Sequence, residues 1–185
     1  MAFGSARRLT LMISPILLEE DVSLDLVTKG KQSALSKIGI RIARRAGLDE
    51  QMVLRGLFDR ERRGSTGIGR GVAIPHALLD MISLPVSSLT RLTPPIDFDS
   101  PDDEPVDLIH TVLWPRAAIL DFLPALSQTC RLLRESRVRE GLRQARSADE
   151  VVSVLFGTWS FPAISTKSQE SCAGNNVDIR AFGNA

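Results

Sequence analysis

The stretch Gly64-Ser65-Thr66-Gly67-Ile68-Gly69-Arg70-Gly71-Val72-Ala73-Ile74-Pro75-His76 indicates the fold of this 185-residue chain more clearly than any other part of it. Its glycines predict a loop whose backbone N–H groups point at one spot, and such a concavity suits an anion. The apolar run Val72 to Ile74 predicts a short strand. Pro75 then fixes the backbone before His76, so we expect a histidine held at the end of a strand, where α/β sheets place reactive groups.

Two helices are predicted before this loop. Apolar residues at helical spacing over residues 28–46 predict the first, and Gly47 fits a C-terminal cap. Asp49 is predicted to cap the second helix, which ends near Arg63. Arg60 is therefore expected in its final turns, next to the loop.

Two further helices are predicted in the last third of the chain. One has Asp121 as its cap and Pro124 in its first turn, where proline is tolerated. The other opens with the capping box Ser147-x-x-Glu150 and ends at Gly157.

Between the two pairs of helices, apolar and β-branched residues predict strands at 86–92 and 106–114. Helices and strands thus interleave over residues 10–157, which predicts an α/β domain with a sheet covered on both faces. Residues 1–9 are predicted to be a flexible N-terminus. Residues 158–185 are rich in Ser, Gly and Asn and are predicted to be a loosely ordered tail.

Composition excludes several classes of protein. The 23 Lys and Arg residues nearly balance the 22 Asp and Glu residues, which argues against nucleic acid as a partner. Cys130 and Cys172 are too few for a disulfide framework and no zinc-ligand spacing is present, so we expect no metal and no cofactor. The apolar stretch 9–18 contains Pro15 and ends in acidic residues, unlike a signal peptide, and no apolar run is long enough to insert into a membrane. We expect a cytoplasmic protein.

The glycine loop lacks the spacing of nucleotide-binding motifs. No Lys-Ser or Lys-Thr follows its last glycine, and it precedes a strand instead of opening a helix. A histidine with an ordinary pKa of about 6.5 is neutral and nucleophilic near pH 7, so His76 can accept a phosphoryl group. Loop amides and an arginine would stabilise the charge on that group. From the residues alone, a tight glycine turn beside an ordinary surface histidine stays an alternative.

A specific set of segments carries a resemblance to a known family. They are Arg60-Glu61, the glycine loop with Ala73-Ile74-Pro75-His76, Pro95-Ile96-Asp97-Phe98, Pro105-Val106-Asp107-Leu108 and Leu142-Arg143-x-Ala145. In these segments the chain resembles the enzyme IIA domain of the bacterial phosphotransferase system, of the fructose and mannitol type, and most of all its nitrogen-regulatory member. The resemblance covers most of residues 10–157.

The resemblance implies a three-layer α/β/α sandwich with a central mixed sheet, in which a histidine-containing phosphocarrier protein phosphorylates His76. It also implies that Arg60 lies beside the active histidine, where its planar guanidinium offers a fork of donors to phosphate. A solvated helix charge is the alternative for Arg60. Further phosphate-stabilising groups are expected from four residues of the loop: Ser65, Thr66, Gly67 and Gly69.

The chain departs from the family pattern at two positions. The family usually has a second active-site histidine near the start of the helix after the last strand, where this chain has Phe122. It also commonly has glycine after the active histidine, where this chain has Ala77. The first departure removes a polar neighbour of the expected phosphohistidine.

The only other histidine, His110, lies in the predicted strand 106–114 on an apolar face. Three interpretations stay open. His110 is a buried structural histidine with one hydrogen-bond partner, or it has moved into the site and replaces the missing partner. In the third, Phe122 marks a paralogue with slow or absent phosphotransfer.

Two functions of different classes follow. The first is a regulatory phosphoryl carrier, an enzyme of phosphotransferase type if active, whose phosphorylation state controls partners such as potassium-transport or nitrogen-response proteins. The second is a non-catalytic binding regulator that kept the fold. Six arginines of the late helices are also predicted to form a basic face for an acidic partner: Arg131, Arg134, Arg137, Arg139, Arg143 and Arg146.

Overall fold

The computed structural model describes residues 17–157 of the chain. The predicted flexible N-terminus 1–9 and the predicted tail 158–185, which contains Cys172, lie outside the described residues. Within residues 17–157, no helix combines the length and the apolar character that crossing a bilayer requires.

The described residues form six strands and five α-helices. The strands are β1 (Val22–Leu26), β2 (Gly67–Gly69), β3 (Val72–Ala73), β4 (His76–Leu79), β5 (Val86–Ile96) and β6 (Val106–Pro115). The helices are α1 (Lys31–Ala46), α2 (Glu50–Glu61), α3 (Ile119–Arg134), α4 (Ser136–Gln144) and α5 (Ala148–Gly157). Short 3₁₀ turns precede β1 at Glu19–Asp21 and α3 at Arg116–Ala118.

The strands form one mixed sheet in the order β1-β5-β6-β3-β2, and β4 also pairs with β6. β5 and β6 are antiparallel, whereas β3 and β4 both run parallel to β6. β1 lies parallel to β5 at one edge. The mixed sheet implied by the resemblance is therefore confirmed.

Helices cover both faces of this sheet. On one face α3, α4 and α5 enclose an apolar core that includes Trp114, Leu133 and Leu142. On the other, α1 and α2 pack over two smaller clusters that include Ile109 and Leu113. The three-layer α/β/α sandwich is confirmed.

Both caps predicted for the first two helices are present. The Asp49 side chain accepts a hydrogen bond from the Met52 N–H at 2.7 Å and so satisfies a free amide of the first turn of α2. Gly47 ends α1 in the left-handed conformation, at φ 64°, which glycine adopts without steric cost.

The predicted start of α3 is wrong. Asp121 lies inside its first turn and is not its cap, because the 3₁₀ turn Arg116–Ala118 leads directly into a helix that begins at Ile119. Pro124 consequently lies beyond the first turn, inside the helix. The capping box of α5 forms in part: Ser147 Oγ accepts from the Glu150 N–H at 3.2 Å, but the Glu150 carboxylate accepts from the amide of Arg146.

Four elements were not predicted, namely β1, β2, β4 and α4, and for β1 and α4 the local signals are weak. β1 contains Asp25 at φ 58°, and its register with β5 shifts, so it shows no clean alternation. α3 and α4 are separated only by Glu135 in an extended conformation, without glycine or proline.

The predicted basic face is broken by two arginines that bind the protein itself. Arg139 is buried and donates to the carbonyl oxygens of Leu133 and Arg134, which caps the end of α3. Arg143 makes a bidentate pair with Asp107, at 2.7 and 2.8 Å. Neither guanidinium is free to meet a partner.

Candidate active site

His76 lies at a break in the sheet. β3 and β4 are two consecutive segments that pair with the same strand, β6, and Pro75 stands between them. The Pro75 carbonyl accepts a hydrogen bond from the Val112 N–H at 2.9 Å, so the pairing continues past the proline. His76 therefore begins β4, opposite Val112, and does not end a strand as predicted.

The two ring nitrogens of His76 have opposite hydrogen-bonding roles. Nδ1 lies 2.9 Å from the carbonyl oxygen of Ile74, and because a carbonyl only accepts, Nδ1 carries the proton. Nε2 accepts a hydrogen bond from Nε of Arg60 at 2.8 Å. Both contacts select the same neutral tautomer, with the lone pair on Nε2.

The surroundings of His76 favour this neutral ring. Burial lowers its pKa below the ordinary value of 6.5, and the positive charge of Arg60 lowers it further. The hydrogen bond to Ile74 and the charge of Glu61 oppose these effects without cancelling them. The His76 ring is therefore uncharged at neutral pH.

Arg60 reaches His76 from the last turn of α2. Its Nη1 also donates to the Gly64 carbonyl oxygen at 2.9 Å, which fixes the guanidinium between the ring and the start of the glycine loop. α2 can approach β4 because Gly56 has no side chain: a Cβ there would lie 2.9 Å from the Cβ of Ala77. Ala77, at the position where the resemblance expects glycine, is accommodated in this way.

The hydroxyl groups of Ser65 and Thr66 form hydrogen bonds with other groups of the protein and do not contact His76. Ser65 Oγ donates to the Phe98 carbonyl at 2.7 Å and accepts from the Gly67 N–H at 3.1 Å. Thr66 Oγ1 donates to a carboxylate oxygen of Glu61 at 2.5 Å. Gly67 and its neighbour Gly69 lie in β2, which pairs with β3. A phosphate-stabilising role for these four residues stays a prediction.

An ion pair between Lys31 and Glu61 lies under the glycine loop and binds it through Thr66. The Glu61 side chain is 7% exposed, and Lys31 Nζ lies 2.6 Å from its Oε1. Lys31 also donates to Asp99 at 2.9 Å and to the Phe98 carbonyl at 3.1 Å. Although burial lowers the pKa of Lys31, the hydrogen bonds to Glu61 and Asp99 raise it above its ordinary value, so Lys31 is charged at neutral pH.

Phe122 forms an apolar wall beside the histidine. Its ring centroid lies 5.3 Å from that of His76 and 5.8 Å from that of Trp114, with tilted planes in both pairs. The ring in contact with His76 is thus an aromatic hydrocarbon at the position where the resemblance expects a second histidine.

His110 lies on the same face of the sheet, on β6, and is buried. Burial lowers its pKa to about 4. It lines, with Phe122 and Thr129, a small cavity of about 20 Å³ beneath α3. His110 is thus a neutral core residue behind the Phe122 wall, which favours the structural interpretation.

The geometry can be compared with known proteins. Residues 15–157 match the model of the family described as "Phosphoenolpyruvate-dependent sugar phosphotransferase system, EIIA 2". The chain belongs to this family.

Relatives of this IIA domain include regulatory members. The chain is 37% identical over 143 residues to the nitrogen regulatory protein of Bradyrhizobium diazoefficiens, an alignment that covers 77% of this chain and 94% of the relative. The crystal structure of nitrogen regulatory protein IIA-Ntr from Neisseria meningitidis superposes with a TM-score of 0.74 at 34% identity, over 77% of this chain and 98% of that one. The mannitol IIA of Escherichia coli shares the fold, with a TM-score of 0.65 at 20% identity over 75% and 98% of the two chains.

Two residues of this IIA domain's site, Glu61 and Lys31, were missed by the sequence analysis. Glu61 follows Arg60 directly in the sequence. Its burial distinguishes it from an ordinary surface glutamate, and the sequence alone does not show that burial. Lys31 lies at the start of α1, far from the loop along the chain, so only the fold brings it to Glu61.

Proposed function

We propose that this IIA domain accepts a phosphoryl group on Nε2 of His76 from a histidine-containing phosphocarrier protein in the cytoplasm. Its phosphorylation state then controls the binding of regulatory targets, of which potassium-transport and nitrogen-response proteins are the expected classes. The observation that carries the proposal is the pair of contacts on His76: Nδ1 is held by Ile74, and Nε2 keeps its lone pair beside Arg60.

The transfer exchanges one phosphorus–nitrogen bond for another. The lone pair of His76 Nε2 attacks the phosphorus on the carrier's phosphohistidine, a bond to Nε2 forms, and the carrier's imidazole leaves. His76 keeps its proton on Nδ1 throughout.

Arg60 has two tasks in this transfer. In the resting site its Nε occupies the Nε2 lone pair, so the guanidinium gives up this contact as the phosphoryl group arrives. Its donors then turn to the phosphoryl oxygens, for which a planar fork is well suited. The positive charge of Arg60 is already beside the ring, so only the direction of its donors has to change during the transfer.

Intact mass spectrometry after mixing with the phosphorylated carrier tests the proposal. We expect a gain of one phosphoryl group that is absent in His76→Ala, and NMR of the product is expected to show attachment at Nε2. No gain in mass, or a gain that persists in His76→Ala, would overturn the proposal.

One observation favours a second candidate, a non-catalytic binding regulator. Phe122 packs on His76 where a polar group would help to hold a phosphoryl group. In that case the protein binds its target equally well with and without the phosphorylated carrier, and His76→Ala leaves binding unchanged.

A further inference from the structure

Two consecutive residues at the end of α2 act on opposite nitrogens of the same ring. Arg60 contacts Nε2 of His76 directly, whereas Glu61 is connected to Nδ1 through a series of hydrogen bonds. We infer that Glu61, with its charge neutralised by Lys31, is a positioning residue that fixes the tautomer and orientation of His76. For the rate of transfer, the inference rests on the function proposed above.

The series begins at the Glu61 carboxylate. It accepts the Thr66 N–H, at 3.1 Å to Oε1 and 3.2 Å to Oε2, and the Thr66 hydroxyl at 2.5 Å to Oε2. The Thr66 carbonyl accepts the Ile74 N–H at 2.9 Å. The Ile74 carbonyl then accepts Nδ1–H of His76 at 2.9 Å.

A charged acceptor at the start of this series strengthens it. Hydrogen bonds to an ionised carboxylate are stronger than neutral ones, so Thr66, which donates them, is held firmly in place. Because Thr66 is held from both its N–H and its hydroxyl, its carbonyl has little freedom to move away from Ile74. Ile74 is fixed in turn, so its carbonyl oxygen stays within hydrogen-bond distance of His76 Nδ1.

Lys31 makes a buried carboxylate tolerable beside a site that gains negative charge. A phosphoryl group on His76 would repel an unpaired Glu61, whereas the positive charge of Lys31, which also contacts the exposed Asp99, offsets that of Glu61. Buried ion pairs are weak devices for stability alone, since apolar replacements are often as stable. An apolar pair in place of Lys31 and Glu61 could be as stable, but it could not accept the hydrogen bonds of Thr66 and so could not orient the His76 ring.

The test compares Glu61→Gln and Thr66→Val with two matched controls. Thr66→Ser keeps the hydroxyl. Glu50→Gln makes the same carboxylate-to-amide change at an exposed residue of α2, which pairs with Arg44 of α1. The first readout is the ring tautomer of His76, measured by nitrogen NMR on the unphosphorylated protein. We expect the wild type and both controls to show the proton on Nδ1, and Glu61→Gln and Thr66→Val to show a mixture of both tautomers.

The second readout is the rate of phosphorylation by two donors, the phosphorylated carrier and phosphoramidate. With phosphoramidate, the bond to Nε2 forms as the phosphorus–nitrogen bond of the donor breaks and ammonia leaves. For Glu61→Gln and Thr66→Val we expect kcat with the carrier to fall about tenfold at unchanged KM, and the phosphoramidate rate to fall equally. The Glu50→Gln control is expected to keep the wild-type rates.

The outcomes separate this inference from the proposed function. A His76 tautomer and rates like those of the wild type in folded Glu61→Gln and Thr66→Val would overturn the inference. A mixed tautomer in these variants, together with no phosphorylation of the wild type by either donor, would uphold positioning by Glu61 and overturn the proposed function. If Glu61→Gln alone does not fold, the double variant Glu61→Gln/Lys31→Met removes both charges and is measured in its place.

Discussion

The Phe122 ring packs against the His76 imidazole at 5.3 Å between centroids, so one side of the His76 ring faces hydrocarbon. We expect Phe122→His to raise the rate of phosphoryl transfer about tenfold, because one added donor to the transferred group is worth roughly that factor. The rate of phosphorylation by the carrier measures this.

Two control variants accompany Phe122→His. Phe122→Leu keeps an apolar wall and is expected to transfer at the wild-type rate. His110→Ala is also expected to leave the rate unchanged, because His110 lies in the cavity behind Phe122. A slow His110→Ala variant with an intact fold would instead place His110 in the site.

Arg60 is predicted to be needed for transfer. We expect Arg60→Gln to lower the rate about a hundredfold and Arg60→Lys about tenfold, since lysine keeps the charge but loses the planar fork. The same Arg60→Gln change removes a positive charge from His76 and should raise the pKa of His76, which NMR titration measures. Arg62→Gln is the matched control, because Arg62 is exposed and pairs with Asp59; an equal loss of activity there would contradict the assignment.

His110 is predicted to make the protein sensitive to acid. Its pKa is lowered to about 4 in the folded state, so the unfolded state binds more protons between about pH 6.5 and pH 4. Stability is then fully present above about pH 6.5 and falls on acidification, by roughly 3 kcal/mol when pH reaches 4. Urea unfolding at several pH values measures this loss, and His110→Leu should lose less stability over the same range. An identical pH dependence in the two proteins would show that other groups are responsible.

Gly56 is predicted to set the spacing between α2 and β4. A Cβ at this position would meet Ala77 Cβ at 2.9 Å and Leu79 Cδ2 at 3.2 Å, so α2 must shift away from the strand that carries His76. Overpacking of this kind costs about 1–3 kcal/mol, against which alanine returns about 1 kcal/mol of helix propensity. We expect Gly56→Ala to lower the free energy of unfolding by about 1 kcal/mol and to slow transfer, because Arg60 moves with α2.

Two further variants test the cause. Gly39→Ala meets the flexible end of Leu54 at 2.8 Å, which can move aside, so its stability is expected to stay within about 0.5 kcal/mol of the wild type. The double variant Gly56→Ala/Ala77→Gly restores the room and should recover both stability and rate. Failure of the double variant to recover would refute the steric explanation.

The sequence predicts the fold class, which the structure confirms, and the centre of the candidate site for physical reasons that are local. The glycine loop, Pro75 and His76 form one continuous segment, and Asp49 caps a helix within its own turn. The features that the sequence does not predict depend on contacts between residues far apart along the chain. Lys31 meets Glu61 only through packing of α1 against α2, and the orientation of Thr66 follows from that pair.

The boundaries of α3 and α4 illustrate a second limit. Asp121 has the chemistry of a cap, but the preceding 3₁₀ turn supplies the start of the helix. Arg139 has the chemistry of a surface residue, but it is buried because it closes the end of α3. In both cases the neighbouring helix or turn, and not the usual preference of the residue type, determines where the residue lies.

The contact between Gly56 and Ala77 has an evolutionary consequence. The two positions share room for one methyl group, so a sequence that carries glycine at 77 is free to carry alanine at 56, and the reverse holds here. Among relatives of this chain, the two positions should therefore vary together, with at least one glycine in every pair. The spacing between α2 and the strand that begins with His76 would then be inherited as a property of the pair, whichever of the two residues carries the methyl group.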